Sequence, residues 1–196
     1  RGAGMSKPVL GVCVTGSFCT FEKVFAQLEG LTRQFSLLPI FSFNAAGLDT
    51  RFGKAADHVA RLKQLSGRDP ILTIPQAEPI GPKGMTDILA VVPCTGNTLA
   101  KLAHSIVDTP VTMAVKSHLR NGRPVVVGVS TNDALAGAAQ NLAALQNRKH
   151  YYFVPYRQDN SAKKPTSLVA DFSRLEETLW RALEGKQVQP MVLGET

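Results

Sequence analysis

The residues best suited to chemistry lie in the stretch Cys94-Thr95-Gly96-Asn97-Thr98. Hydroxyls and an amide surround a glycine there, just ahead of apolar positions Leu99, Leu102, Ala103 and Ile106 at helical spacing. Such a turn presents free backbone N–H groups at a helix N-terminus, where the helix dipole favours a phosphate and Gly96 lets ligand and backbone approach closely. Thr98 or Asn97 is the expected helix cap. An ordinary βα loop carries the same residue types, so the reading needs support from elsewhere in the chain. Three more stretches supply it: Thr15-Gly16-Ser17, Ser42-Phe43-Asn44 and Ser130-Thr131-Asn132 each close an apolar run with small polar residues.

The elements that must position these turns alternate along the chain. Residues 88–92 are uninterrupted apolar and suit a strand buried on both faces, with Pro93 expected to stop it. Residues 8–15, 37–43 and 124–130 read as further strands, 71–74 as a short one and 151–156 as the last. A first helix carries Phe21, Val24, Phe25, Leu28 and Leu31 at its apolar spacing. Other helices are expected over 55–65, stopped by Gly67, over 134–146 and over 173–183. Residues 44–53 and the Pro- and Gly-rich 75–83 read as loops, 110–115 as an apolar segment, 116–123 as a basic one and 187–193 as an extended tail. The alternation predicts one α/β domain with a parallel sheet, helices on both faces and right-handed crossovers. Ligands in such sheets bind beyond the carboxyl ends of the strands, which is where all four polar turns fall.

Composition narrows the functional classes. The chain has 196 residues, 44% of them hydrophobic, and no apolar run approaches the ~20 residues of a membrane helix. Arg-Gly-Ala-Gly precedes Met5 without an apolar signal region, so residues 1–4 read as a cloning remnant and the protein is expected in the cytoplasm. Three cysteines, Cys13, Cys19 and Cys94, form no C-x-x-C pair, and His58, His104, His118 and His150 show no metal-ligand spacing, so no metal is expected. A net charge of +7 suits anions, but the basic residues are scattered and no aromatic-plus-basic stripe points to nucleic acid. No G-x-G-x-x-G follows a strand, no G-x-S-x-G elbow exists, and residues 47–54 fail the P-loop spacing, with Ala55 where a magnesium-binding hydroxyl belongs.

Thr15-Gly16-Ser17, together with Pro93-Cys94-Thr95-Gly96-Asn97-Thr98, resembles the FMN-binding flavoproteins related to cysteine-peptide decarboxylases, whose second motif reads Pro-Ala-Ser-Ala-Asn-Thr. Within that superfamily the chain is more narrowly similar to the group formed by the B subunits of dipicolinate synthases from spore-forming bacteria. That resemblance rests on Thr15-Gly16-Ser17-Phe18-Cys19-Thr20, Asn44, Thr50-Arg51-Phe52-Gly53, Ala77-Glu78-Pro79-Ile80-Gly81-Pro82-Lys83, Arg123-Pro124-Val125-Val126, Ser130-Thr131-Asn132-Asp133-Ala134-Leu135 and Lys163-Lys164-Pro165. It implies a three-layer, Rossmann-like (flavodoxin-like) domain over residues 5–196, homo-oligomerisation, and a segment 185–196 that packs on a neighbouring subunit.

By the same resemblance FMN would be held by Gly16, Ser17, Ser42, Thr95, Gly96, Asn97 and Thr98, with Ser130 and Asn132 reaching the isoalloxazine. The partner would be a larger, nicotinamide-binding A subunit. The joint reaction would oxidise a dihydrodipicolinate-type dicarboxylate to dipicolinate, in the mother cell during sporulation. Arg51, Lys116, Arg120, Arg123 and the Lys163-Lys164 loop are the cations available for the substrate. No general base is assigned, Glu78 and His118 being the groups considered. Two departures set the chain apart from the decarboxylases: no histidine occupies the neighbourhood of residues 77–81, and Met113 is followed by Ala114 where those enzymes carry Pro-x-Met-Asn. An FMN-dependent decarboxylase or flavin-modifying enzyme, and a subunit that binds its partner without chemistry, are the alternatives.

Overall fold

A computed structural model describes residues 5–195. In chain order the elements are β1 (Val9–Val14), α1 (Phe21–Leu31), β2 (Ser36–Phe41), α2 (Phe43–Gly47), α3 (Ala55–Ser66), α4 (Ile74–Ala77), β3 (Ile88–Cys94), α5 (Gly96–Ala103), α6 (Pro110–Leu119), β4 (Val125–Thr131), α7 (Ala139–Gln146), β5 (Tyr151–Phe153), β6 (Tyr156–Arg157), β7 (Leu168–Ala170) and α8 (Leu175–Leu183). The strands form one sheet in the order β2-β1-β3-β4-β7-β6, with β5 also on β4. All pairings from β2 through β1, β3 and β4 to β5 are parallel. The order 2-1-3-4-5 is the doubly wound flavodoxin-like one, which puts a topological switch between β1 and β3.

Two apolar layers sandwich the sheet. On one face α1 contributes Phe21, Val24, Phe25, Leu28 and Leu31, and α8 adds Leu175, Leu179 and Ala182. The other face is covered by Leu99, Leu102 and Ala103 of α5, by Val111, Ala114 and Val115 of α6, and by Leu142 and Leu145 of α7. Every residue of β3 is buried, as a central strand covered on both sides requires. No helix among the described residues is long and apolar enough to cross a membrane.

Several local expectations change. Pro93 does not stop β3: the strand runs on to Cys94 through a register shift after Val91, a bulge that spares the sheet the missing proline N–H. The cap of α5 is Thr95, whose side chain accepts the N–H of Thr98, rather than Thr98 or Asn97. That helix ends at Ala103, so Ile106 falls beyond it and stands 47% exposed. The segment 75–83 is no loop. Thr73 and Gln76 form a reciprocal capping box with Pro75 in the first turn of α4, a 3-10 turn (Glu78–Ile80) follows, and Ala77 and Ile80 are fully buried. Ile71 contributes only a single parallel bridge to Ile40 before Ile74 opens that helix. The expected loop 44–53 begins inside a short helix, α2 (Phe43–Gly47), capped by Ser42.

The last strand divides at Val154 into β5 and β6, and β7 follows, antiparallel to both β4 and β6. The helix expected over 134–146 forms only from Ala139. The expected remnant, residues 1–4, lies outside the described residues.

Candidate functional site

Three of the four polar turns are laced together at the carboxyl edge of the sheet. Buried Thr15 donates its hydroxyl to the Pro93 carbonyl at 2.6 Å and accepts the Thr95 N–H at 3.1 Å, tying the β1 turn to the β3 turn. Ser17 Oγ and Ser130 Oγ lie 2.7 Å apart, tying β1 to β4. Thr20 donates to the Ser17 carbonyl at 2.8 Å, and Thr131 donates to Asp133 Oδ1 at 2.5 Å. The fourth turn joins through Ser42, whose N–H donates to the Val14 carbonyl at 3.0 Å while its hydroxyl accepts the Ala45 N–H at 3.2 Å. The turns thus form a fixed rim, with donors and acceptors held by the sheet rather than by loop preference.

Two cavities open from this rim and meet at Gly16 and Thr95, which line both. The smaller, about 300 Å³, is lined by Thr15, Ser42, Asn44, Asn97, Thr98, Lys101, Thr109 and Thr112 among others. The backbone N–H groups of Gly96 and Asn97, the first two positions of α5, have no acceptor among the described residues. They are donors at the positive end of the helix dipole, beside a wall of hydroxyls. Lys101, one turn after Asn97, adds a cation, paired with Asp108 at 2.8 Å. The larger cavity, about 810 Å³, is lined by Ser17, Phe18, Lys23, Thr50, Arg51, Phe52, Ser130, Thr131, Asn132, Asp159 and Lys164 among others. A small hydroxyl-rich pocket continuous with a wide, partly aromatic cleft matches a phosphate and its polyol chain joined to a flat ring.

Of the residues expected on a cofactor, Ser42, Asn97 and Thr98 line the small pocket, Ser17, Ser130 and Asn132 the cleft, and Gly16 and Thr95 both. Gly96 supplies an N–H, but its missing side chain has another reason. A Cβ there would stand 2.7 Å from Asp133 Oδ1 and 2.8 Å from Thr131 Oγ1, so the glycine lets α5 approach the β4 turn.

Among the expected substrate cations only Arg51 and Lys164 reach the cleft. Lys116 instead lines a separate groove with Arg148 and His150, at the opening of β5. Arg123 clamps the chain before β3, donating to the Thr86 carbonyl at 2.6 Å, and Arg120 packs against Gly81. The physical reason is direction: α6 starts at the carboxyl edge with Thr109 and runs away from it, so its basic C-terminal end lies at the opposite edge.

Neither acid–base candidate is near the cleft. His118 is fully buried, with Nδ1 2.6 Å from Thr86 Oγ1 and Nε2 2.9 Å from the Pro124 carbonyl, and burial pushes its pKa down to about 4. Glu78 belongs to the 3-10 turn, where its carbonyl accepts the Ser117 hydroxyl at 2.6 Å. Met113 packs on the core, and the asparagine that lines the cleft is Asn132. Burial pushes the Cys13 and Cys94 thiols up, which leaves both as core residues.

Sequence reasoning missed Lys101, Thr109 and Thr112 in the small pocket, and Lys23 and Phe52 in the cleft. The Thr109-Pro110-x-Thr112 capping box was a readable signal for the first group, since it places a helix start at the ligand edge. Lys23 gave none, because its place depends on how α1 crosses the sheet.

A family model described as flavoprotein matches residues 3–172. The B subunit of dipicolinate synthase from Bacillus subtilis (strain 168) is 43% identical over 185 residues, 94% of this chain and 92% of that protein. The crystal structure of the corresponding B subunit from Bacillus halodurans superposes with a TM-score of 0.88 at 39% identity, covering 96% of this chain and 97% of that one. An FMN-dependent cysteine decarboxylase superposes with a TM-score of 0.62 at 22% identity over 90% of this chain and 96% of its own, a likeness of fold.

Proposed function

The chain belongs to the flavoprotein family, and on that premise we propose that it is the FMN-binding B subunit of a dipicolinate synthase. One observation carries the reading: the two cavities that meet at Gly16 and Thr95, one lined by hydroxyls and free amides, the other wide and partly aromatic. The Gly96 and Asn97 amides, with the hydroxyls of Ser42 and Thr98, take the phosphate and polyol of FMN, and Ser17, Ser130 and Asn132 fix the ring end. FMN supplies two-electron redox chemistry when bound. The protein's own work is to orient the ring against its substrate, a dihydrodipicolinate-type dicarboxylate that loses two electrons and two protons to become dipicolinate.

A larger, nicotinamide-binding A subunit completes the enzyme, an oxidoreductase of sporulating cells acting in the mother-cell cytoplasm. Such a partner accounts for the missing dinucleotide fingerprint in this chain. Residues 5–196 act as one flavoprotein domain that assembles with its own copies. Cysteine-peptide decarboxylation fits less well, because the segment 77–81 holds no histidine and puts Ala77 and Ile80 in the core.

Titrating the purified protein with FMN and following flavin fluorescence tests the cofactor site. Saturable quenching is expected for the wild type. Asn97→Asp, which sets a negative charge beside the phosphate donors, should weaken it at least about tenfold. Absence of binding by the wild type, or equal binding by the variant, would overturn the assignment.

A further inference from the structure

The mouth of the larger cavity carries two features beyond the turn residues assigned to the cofactor. The first is a tight hairpin. Thr50 and Gly53 exchange backbone hydrogen bonds of 3.0 Å in each direction, and the Phe52 N–H donates to Thr50 Oγ1 at 3.1 Å. Its two tip residues therefore have little backbone freedom. Phe52 is 45% exposed despite its size, and the guanidinium carbon of Arg51 lies 4.8 Å from the centre of its ring. An exposed aromatic beside a guanidinium fork suits a flat, anionic ring: the phenyl offers a stacking face and the fork pairs with a carboxylate.

The second feature is charge. Lys23, Arg51 and Lys164 line the cleft together with one carboxylate, Asp159. Asp159 is already paired with Lys164 at 3.2 Å, and hydrogen bonds from Ser167 and Lys164 outweigh its burial to hold it below the usual carboxylate range. Lys23 and Arg51 have no carboxylate partner among the described residues, which leaves two positive charges on different walls. One wall is the hairpin and the other the first turn of α1. A ring with carboxylates on either side of its heteroatom directs them apart, so cations on separate walls fit it where a single cluster would not.

We propose that Arg51 and Lys23 each hold one carboxylate of the planar dicarboxylate while Phe52 stacks on its ring. This rests on the function proposed above and names the residues that select its substrate. Lys116, Arg120 and Arg123, at the opposite edge of the sheet, take no part.

The test is calorimetric titration of the FMN-saturated protein with dipicolinate, isophthalate and picolinate in buffer stripped of divalent metals. Wild type should prefer the two dicarboxylates to picolinate. Arg51→Gln and Lys23→Gln should each weaken dipicolinate binding by about 10- to 100-fold, the loss of one charge-assisted contact, with FMN affinity unchanged. Arg51→Lys should recover part of the loss, Phe52→Leu should weaken all three ligands, and Lys116→Gln should behave as wild type. Unchanged dipicolinate affinity in both Arg51→Gln and Lys23→Gln, a parallel loss of FMN, or no dipicolinate binding by the wild type would each overturn the proposal. FMN saturation is measured separately, so its failure counts against the cofactor assignment and not against these residues.

Discussion

At Gly53 the backbone sits at φ +135°, and an added Cβ would stand 2.8 Å from Nε2 of His58. That imidazole packs edge-on against Phe21 at 4.9 Å and Phe25 at 5.8 Å, so moving it aside disturbs those contacts. Gly53→Ala should therefore cost about 1–3 kcal/mol in urea unfolding, the sum of a left-handed alanine and a blocked contact. His118 makes a prediction of a different kind. Its Nε2–H donates to the Pro124 carbonyl, and in the neutral ring that burial favours its Nδ1 accepts from the Thr86 hydroxyl. The folded pKa of about 4 lies below the ordinary value of 6.5, so between these pH values the unfolded chain binds a proton that the native one refuses. Stability should be full above pH 6.5 and fall as the pH drops toward 4, by up to about 3 kcal/mol. Chemical denaturation at stepped pH reads this slope, and His118→Gln should flatten it.

The helix that faces the proposed phosphate, α5, depends on one side chain for its start. Thr95 accepts the Thr98 N–H at 3.1 Å, and its own N–H is held by Thr15 across the switch point. Thr95→Ala should cost about 1 kcal/mol of stability, with Thr95→Ser close to wild type, and FMN affinity should follow the same order. This junction shows what sequence alone conveys. The buried run of β3, the polar turn and the apolar face of α5 are readable because each follows a local period or a local hydrogen-bonding habit. The exact cap, the passage of β3 through Pro93 and the folding of 74–80 are not, since they depend on a bulge and on helix starts hidden in a Pro- and Gly-rich composition. β6 and β7, of two and three residues, are too short to show a period, and tertiary pairing alone defines them. The proposed cofactor residues are legible as a set of turns. Of the two cations proposed for the substrate, Arg51 is legible and Lys23 is not, because a charged side chain carries no signal of which sheet edge its helix will reach.

The sheet is finished by its own C-terminal segment. β5 pairs with β4 on one side only, which leaves Phe153 N–H and C=O at a free edge. Gln187 satisfies both with its side-chain amide, accepting from the N–H at 2.8 Å and donating to the carbonyl at 2.7 Å, as a neighbouring strand would. Tyr156 then exchanges backbone bonds with Met191 and Leu193, and Glu195 receives the Ser161 N–H and hydroxyl. Truncation after Lys186 strips these partners from β5 and β6, so it should lower stability by a few kcal/mol in urea unfolding. Val192 is 62% exposed and borders an apolar groove with Leu135 and Leu142. If the segment also meets a neighbouring subunit, Val192→Glu should change the sedimentation coefficient while leaving the unfolding midpoint of the dissociated chain near the wild-type value. An unchanged coefficient would confine the segment to closing its own sheet.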